Sequence, residues 1–146
     1  MANRSFNYRA LADFRHAIRL YINFSERNAR RAGLEPQQYQ AMLALKGYSN
    51  PQEMSIRQLA ERLQIRHHSA VELIDRLNAR GLVRRNRSNA DRRKVLLRLT
   101  PRGEQKLRRV AIPHREELRT AGRNLVESLQ GFLSHEGSER NSSRRR

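Results

Sequence analysis

The chain has 146 residues and a formal net charge of +17, from 31 Lys and Arg against 14 Asp and Glu. This length suits one domain with a modest core, and a pI of about 11.7 indicates a polyanionic partner such as nucleic acid. The absence of cysteine excludes disulfides, thiolate metal sites and thiol redox sensing. No apolar run approaches the roughly 18 residues that span a bilayer, so we expect a soluble cytoplasmic protein without a membrane partner.

The first two predicted elements are helices separated by a glycine. Apolar side chains recur at helical spacing over residues 8–32, and Gly33 provides the stop signal. Pro36 suits the first turn of a second helix, which is expected to end near Gly47. Residues 48–54 are predicted to form a loop.

Two shorter helices are predicted next. Ser55 and Gln58 form a capping-box pattern, in which each side chain bonds an otherwise free backbone amide of the other residue. An apolar stripe at helical spacing follows the cap. A turn at residues 64–66 leads to a further helix over about 67–80, which Gly81 is expected to end.

The most informative stretch is a basic hairpin. Two β-prone runs, Leu82–Arg87 and Lys94–Leu99, flank the polar loop Ser88–Arg93, an arrangement typical of a hairpin with a longer loop. Residues 84–98 contain seven basic side chains and a single acid, Asp91. Because arginine binds phosphates and base edges well, such a rim favours contact with a polyanion.

The C-terminal part is predicted to be helical. A long helix is expected over 101–121, with a kink at Pro113. Gly122 is expected to separate it from a last helix at about 124–133. Residues 135–146 are polar and basic, have nothing to bury, and are predicted to form a disordered tail.

A helix, a turn, a second helix and a basic hairpin, in that order, are typical of a winged helix-turn-helix. Its second helix fits the DNA major groove and presents side chains to base edges. The hairpin arginines then lie over the neighbouring minor groove. The residues predicted to contact DNA are Arg66, His67, His68, Ser69, Glu72, Arg76, Arg84, Arg87, Arg92, Arg93 and Lys94.

Over about residues 11–133 the chain resembles the MarR family of transcription factors. The segments that carry the resemblance are Ser55-Ile-Arg-Gln-Leu-Ala-Glu-Arg-Leu, Val71-Glu-Leu-Ile-Asp-Arg-Leu, Arg80-Gly-Leu-Val-Arg-Arg, Asp91-Arg-Arg and Leu99-Thr-Pro-Arg-Gly. The resemblance implies a mainly α fold with a small β-hairpin wing (α+β), dimerised through interlocking N- and C-terminal helices. It also implies that Arg93 enters the minor groove and that Arg76 contacts DNA.

By this resemblance, residues 8–34 and 101–134 form the dimerisation region and residues 35–100 the DNA-binding domain. Family members bind small anions in a cleft between the two regions. The resemblance therefore implies a repressor that a small phenolic or anionic ligand releases from a pseudo-palindromic operator. Candidate cleft residues are Arg15, His16, Arg19 and Tyr39. The alternatives are an exposed helix position for His16 and a core position for Tyr39.

Two residues depart from the family pattern. Arg66 stands where many members have a serine-like helix cap, which favours phosphate binding over capping. Glu72 stands where several members have a basic or polar DNA contact, so it either excludes some bases or pairs with Arg76. The adjacent His67 and His68 point about 100° apart on a helix, which favours DNA contact or plain exposure over a metal site.

Other classes of protein fit the sequence less well. There is no Gly-rich phosphate loop, paired-carboxylate spacing or strained serine elbow, so we expect neither an enzyme nor a cofactor. A basic RNA-binding or nonspecific DNA-coating protein is the main alternative. RNA modules favour exposed aromatic side chains, and residues 55–109 contain none. A ligand-binding or protein-interaction module that has lost DNA recognition would have no need of the arginine hairpin.

Overall fold

A computed structural model describes the chain at residues 6–49 and 53–142. Its elements, in chain order, are α1 (Tyr8–Arg31), α2 (Pro36–Gly47), β1 (Met54–Ser55), α3 (Ile56–Leu63), α4 (His67–Ala79), β2 (Val83–Arg87), β3 (Val95–Leu99) and α5 (Pro101–Ser142). The mainly α fold with a β-hairpin is confirmed. The four helices predicted before the hairpin are also confirmed, at nearly the expected bounds.

The chain divides into two compact units. We call Asn28–Ile112 the winged-helix unit, and Met1–Arg27 together with Pro113–Arg146 the helical unit. The winged-helix unit takes in the end of α1 and the start of α5, whereas the sequence places these boundaries near residues 34 and 101. One reason is a contact between the two helix segments, because the Asn28 Nδ2 donates a hydrogen bond to the Val110 carbonyl at 2.9 Å.

The sheet has a third strand that the sequence did not indicate. The strand order is β1-β3-β2, with both pairs antiparallel, and Met54 of β1 pairs with Leu97 of β3. The loop predicted over 48–54 is therefore wrong at its last residue. A two-residue strand is too short for an alternating apolar pattern to reveal it.

The predicted break at Gly122 is wrong, because α5 is one continuous helix that contains Pro113. A glycine in a helix costs only about 1 kcal/mol relative to alanine, which good helix formers on either side offset. The helix continues to Ser142, through part of the segment 135–146 for which disorder is predicted. Residues 143–146 of that segment lie outside the described residues.

The helix ends in the winged-helix unit follow the predicted signals. Ser55 Oγ accepts from the Gln58 backbone amide at 3.2 Å, and the Gln58 Oε1 accepts from the Ser55 amide at 2.9 Å. These two bonds confirm the capping box. Gly33 and Gly81, which follow α1 and α4, have φ values of 75° and 69°. Glycine adopts this left-handed conformation without strain, and it commonly ends helices there.

The core of the winged-helix unit is formed by its helices together with the inner face of the sheet. The largest fully buried side chains are Leu34, Met42, Leu59, Ile74, Leu77, Leu82, Val83, Leu97 and Val110. Within the described ranges, none of the helices combines the length and the apolar character that crossing a bilayer requires.

A compact junction joins the end of α4, the base of the hairpin and the start of α5. The Thr100 hydroxyl donates to the Gly81 carbonyl at 2.6 Å and accepts from the Gly103 amide at 3.0 Å. The Thr100 amide donates to the Leu82 carbonyl at 3.1 Å. A Cβ atom added to Gly103 would lie 2.1 Å from the Leu82 carbonyl oxygen. The position therefore requires glycine because two backbone segments approach closely.

Candidate DNA-binding surface

The outward face of α4 is the first part of the candidate surface. The helix buries Ala70, Leu73, Ile74 and Leu77, and this fixes which side it presents to solvent. The predicted contact residues lie on that outer side. His67, His68, Glu72 and Arg76 are exposed, and Ser69 is partly buried.

The N-terminus of α4 offers a second feature. Gln64 ends α3 in the left-handed conformation with φ 56°, and Arg66 is the N-cap of α4. The Arg66 side chain makes no capping hydrogen bond. This agrees with the expectation that an arginine in place of a serine-like residue does not cap the helix. The first amides of a helix attract anions, so these amides and the Arg66 cation suit a phosphate group.

The wing, which is the β2–β3 hairpin with its loop at residues 88–94, is ordered by short polar side chains. The buried Ser88 hydroxyl accepts from the amides of Ala90 and Asp91 at 3.2 and 3.3 Å. The Asp91 carboxylate accepts from the Arg93 amide at 3.0 Å. Asp91 therefore shapes the loop, and Arg92 and Arg93 are left exposed on it.

The basic side chains of the wing fall into two groups. Arg85 donates a hydrogen bond to the Asp75 carboxylate of α4, and Arg98 lies 3.6 Å from the Glu53 carboxylate. The remaining five basic side chains of the wing are exposed, and none of them has an ion pair within the described part of the chain. These five are Arg84, Arg87, Arg92, Arg93 and Lys94, the wing residues predicted to contact DNA.

Three residues that shape the surface were missed by sequence reasoning. Asp75 and Arg85 are ten positions apart, and only the packing of the sheet against α4 brings them together. Their bond links the wing to the helix. The sequence did not indicate that Ser88 is buried and orders the loop. Serines in polar loops are often exposed, so its residue type alone does not predict this role.

The candidate ligand residues occupy both units. Arg15, His16 and Arg19 lie exposed on α1 within the helical unit. Tyr39 lies on α2 within the core of the winged-helix unit and is 6% exposed, which is the core position given above as its alternative. A ligand cleft formed by these residues stays a prediction.

Among the described residues, no group of three or more His, Asp and Glu is arranged to hold a metal ion.

These features together define a winged helix-turn-helix. Helix α3, the turn at Gln64 and helix α4 form the helix-turn-helix, and the wing follows directly. The bond between Arg85 and Asp75 links the wing to α4. The order of helix, turn, helix and hairpin is as the sequence predicts.

Comparison with known proteins identifies a family model and several solved structures that are similar to the chain. Residues 32–94 match the model of the MarR family. The fold is similar to that of the transcriptional repressor CouR bound to a 23-mer DNA duplex, with 29% identity and a TM-score of 0.63 over 82% of this chain and 86% of CouR.

Two further structures have a similar fold. The MarR family transcriptional regulator AbsC from Streptomyces coelicolor is 23% identical, with a TM-score of 0.67 over 87% of this chain and 88% of AbsC. A mutant of S. aureus MepR bound to an oligodeoxyribonucleotide is 17% identical, with a TM-score of 0.64 over 89% of this chain and 94% of MepR. No curated protein matches the chain in sequence.

Residues 32–94 of the chain are similar to the MarR family of transcriptional regulators. The matched segment contains α2, α3, α4 and most of the wing. The resemblance inferred from the sequence motifs is thereby confirmed. The family consists of regulators rather than enzymes.

Proposed function

We propose that the protein is a transcriptional regulator that binds double-stranded DNA in a sequence-specific manner. One observation carries this proposal. The exposed face of α4 and the five exposed wing cations without ion pairs belong to one compact unit. A surface with this charge suits the phosphate backbone, and a helix with an exposed polar face suits the major groove.

In this proposal α4 reads bases and the wing holds the backbone. Arg76 is exposed and forms no ion pair in the described part of the chain, so its guanidinium is available to guanine O6 and N7. Glu72 can accept a hydrogen bond from a cytosine amino group. Arg93, on the wing loop, enters the minor groove, whose negative potential attracts arginine. Arg66 and the first amides of α4 hold a phosphate.

The similarity to CouR supports repression as the direction of control. CouR is a repressor that was captured on a DNA duplex, and its identity to this chain is 29%. A regulator of this kind acts on chromosomal DNA, so the proposal places the protein in the cytoplasm.

An anionic or phenolic effector that releases the protein from its operator is part of the proposal. The exposed residues Arg15, His16 and Arg19 are its candidate contacts.

DNA affinity is expected to fall steeply with salt. If a dimer neutralises about eight phosphates, the slope of log K against log salt is near −7. Titrations of a selected palindromic duplex at several salt concentrations measure this slope. A slope shallower than about −3 contradicts contact between the wing and the duplex. Equal affinity for an RNA of the same length favours the alternative of a basic RNA-binding protein.

The helical unit supports a dimer. Ala17 and His114 are the only buried residues among its described positions, although the unit carries many apolar side chains. The exposed apolar residues of this unit are Phe6, Tyr8, Leu20, Ile22, Leu118, Val126, Leu129 and Leu133. Exposed apolar surface of this extent favours association, and a two-fold symmetric pair presents one winged-helix unit to each half of a palindrome.

The protein is therefore expected to be a homodimer at micromolar concentration, with DNA half-sites about 34–36 Å apart. Analytical ultracentrifugation measures the mass directly. A double change of Leu129 and Leu133 to lysine places charges on the apolar face and is expected to shift the protein towards monomer. A wild-type monomer at these concentrations contradicts the proposed dimer.

A further inference from the structure

Arg80, at the C-terminal end of α4, directs its guanidinium into its own domain. Its Nη1 donates to the Gln38 Oε1 at 2.8 Å, and its Nη2 donates to the Gly33 carbonyl at 2.7 Å. The residue follows the last turn of α4 as its C-cap. Arg80 and Arg76, one turn earlier, are both exposed, but Arg76 forms no ion pair in the described ranges.

Both acceptors of Arg80 are held in place by other contacts. Gln38 is 6% exposed, and its Oε1 also accepts from the Glu35 amide at 3.1 Å as part of the capping box of α2. Gly33 lies in the turn between α1 and α2, where its φ of 75° is fixed by the helix end. Two fixed acceptors and a planar guanidinium leave the end of α4 little freedom to rotate or tilt.

The same turn is also tied to α5. Asn28, just before the turn, donates to the Val110 carbonyl of α5 at 2.9 Å. The end of α1, the start of α2 and α5 therefore form one bonded framework. Arg80 is the residue through which a side chain of α4 joins this framework by hydrogen bonds.

We propose that Arg80 is a positioning residue that sets the orientation of α4 and thereby the sequence selectivity of the protein, without touching DNA. The inference rests on the proposed function. Base reading requires side chains to be held within about 0.5 Å and 10–20° of their productive geometry. Core packing holds α4 along its length through four buried residues, Ala70, Leu73, Ile74 and Leu77. The two bonds of Arg80 additionally tie the C-terminal end of the helix to Gln38 and to the turn at Gly33.

The test measures selectivity and salt dependence separately. The wild-type protein first selects a preferred duplex from a random pool. Affinities for this duplex and for a scrambled one are then measured at several salt concentrations. Arg80→Ala is expected to lower the ratio of the two affinities by at least about fivefold, the effect of losing one base contact. The salt slope is expected to stay unchanged, because it counts neutralised phosphates.

Three further variants serve as controls for charge and for folding. Arg80→Lys keeps the positive charge but cannot donate two parallel bonds, so its affinity ratio is expected to fall as well. Arg109→Ala removes one exposed charge from α5 and is expected to keep the ratio. Gln38→Glu keeps an acceptor oxygen for Arg80 and is also expected to leave the affinity ratio unchanged. Thermal melts of all variants show which of them fold. If Arg80→Ala does not fold, the affinity ratio of Arg80→Lys is compared with that of the wild type instead.

Three results overturn the inference, each in a recognisable way. An unchanged ratio in both Arg80 variants shows that Arg80 does not position α4. A salt slope that is smaller by about 1 per protomer in Arg80→Ala, but not in Arg80→Lys, identifies a phosphate contact instead. A wild-type protein without any preferred duplex contradicts the proposed function itself.

Discussion

Arg76→Ala is expected to lower affinity for the operator by about 1–3 kcal/mol while changing affinity for random DNA much less. The reason is the position of Arg76 on the exposed face of α4, where its guanidinium can form two hydrogen bonds with a guanine. Those bonds exist only on the matching sequence. The expected result is therefore a loss of selectivity rather than a general loss of binding.

Arg93→Ala is expected to behave differently. Arg93 lies exposed on the wing loop, which Ser88 and Asp91 hold in shape. A side chain that reads groove width and backbone contributes to most sequences alike. Its loss is expected to weaken operator and scrambled duplexes by a similar factor and to make the salt slope shallower by about 1 per protomer.

Both variants are measured on operator and scrambled duplexes, together with thermal melts, and Arg109→Ala again serves as a control for charge. Because both side chains are exposed, neither change is expected to alter the melting temperature. If Arg76→Ala weakens both duplexes equally, Arg76 is a phosphate contact and base reading lies elsewhere on α4. Early melting of either variant shows instead that the residue stabilises the fold.

Gly103→Ala is expected to cost the winged-helix unit at least about 3 kcal/mol of stability. The new Cβ would lie 2.1 Å from the Leu82 carbonyl oxygen, and neither partner is a flexible side chain that can move away. Either the start of α5 or the base of the wing must shift. That shift breaks the bonds of Thr100 to Gly81 and Leu82. The melting temperature is expected to fall by roughly 10 °C.

A matched control is available within the same unit. Gly47, in the last turn of α2, has nothing within 4 Å of an added Cβ, so Gly47→Ala is expected to be neutral or slightly stabilising. Thermal or urea unfolding of the two variants tests the contrast. Equal stability of Gly103→Ala and the wild type contradicts the close approach of the two backbone segments.

Most of the fold follows from local signals in the sequence. The apolar spacing of four helices, the cap at Ser55 and the glycine stops at Gly33 and Gly81 are properties of neighbouring residues. The structure confirms each of them. The break predicted at Gly122 fails because a single glycine costs a helix too little to end it. The short strand β1 exists only through its pairing with β3.

The class of protein and the exposed cations of the wing could be inferred from the sequence alone. Charge, helix periodicity and turn residues are encoded within a few neighbouring positions, so these features can be read from the chain. Which charged side chains form internal bonds could be seen only in the folded protein. Arg85 and Arg80 look like further basic residues of the same surface, yet they bond Asp75, Gln38 and Gly33. Packing brings together residues 10 to 47 positions apart, and no local pattern specifies such pairs.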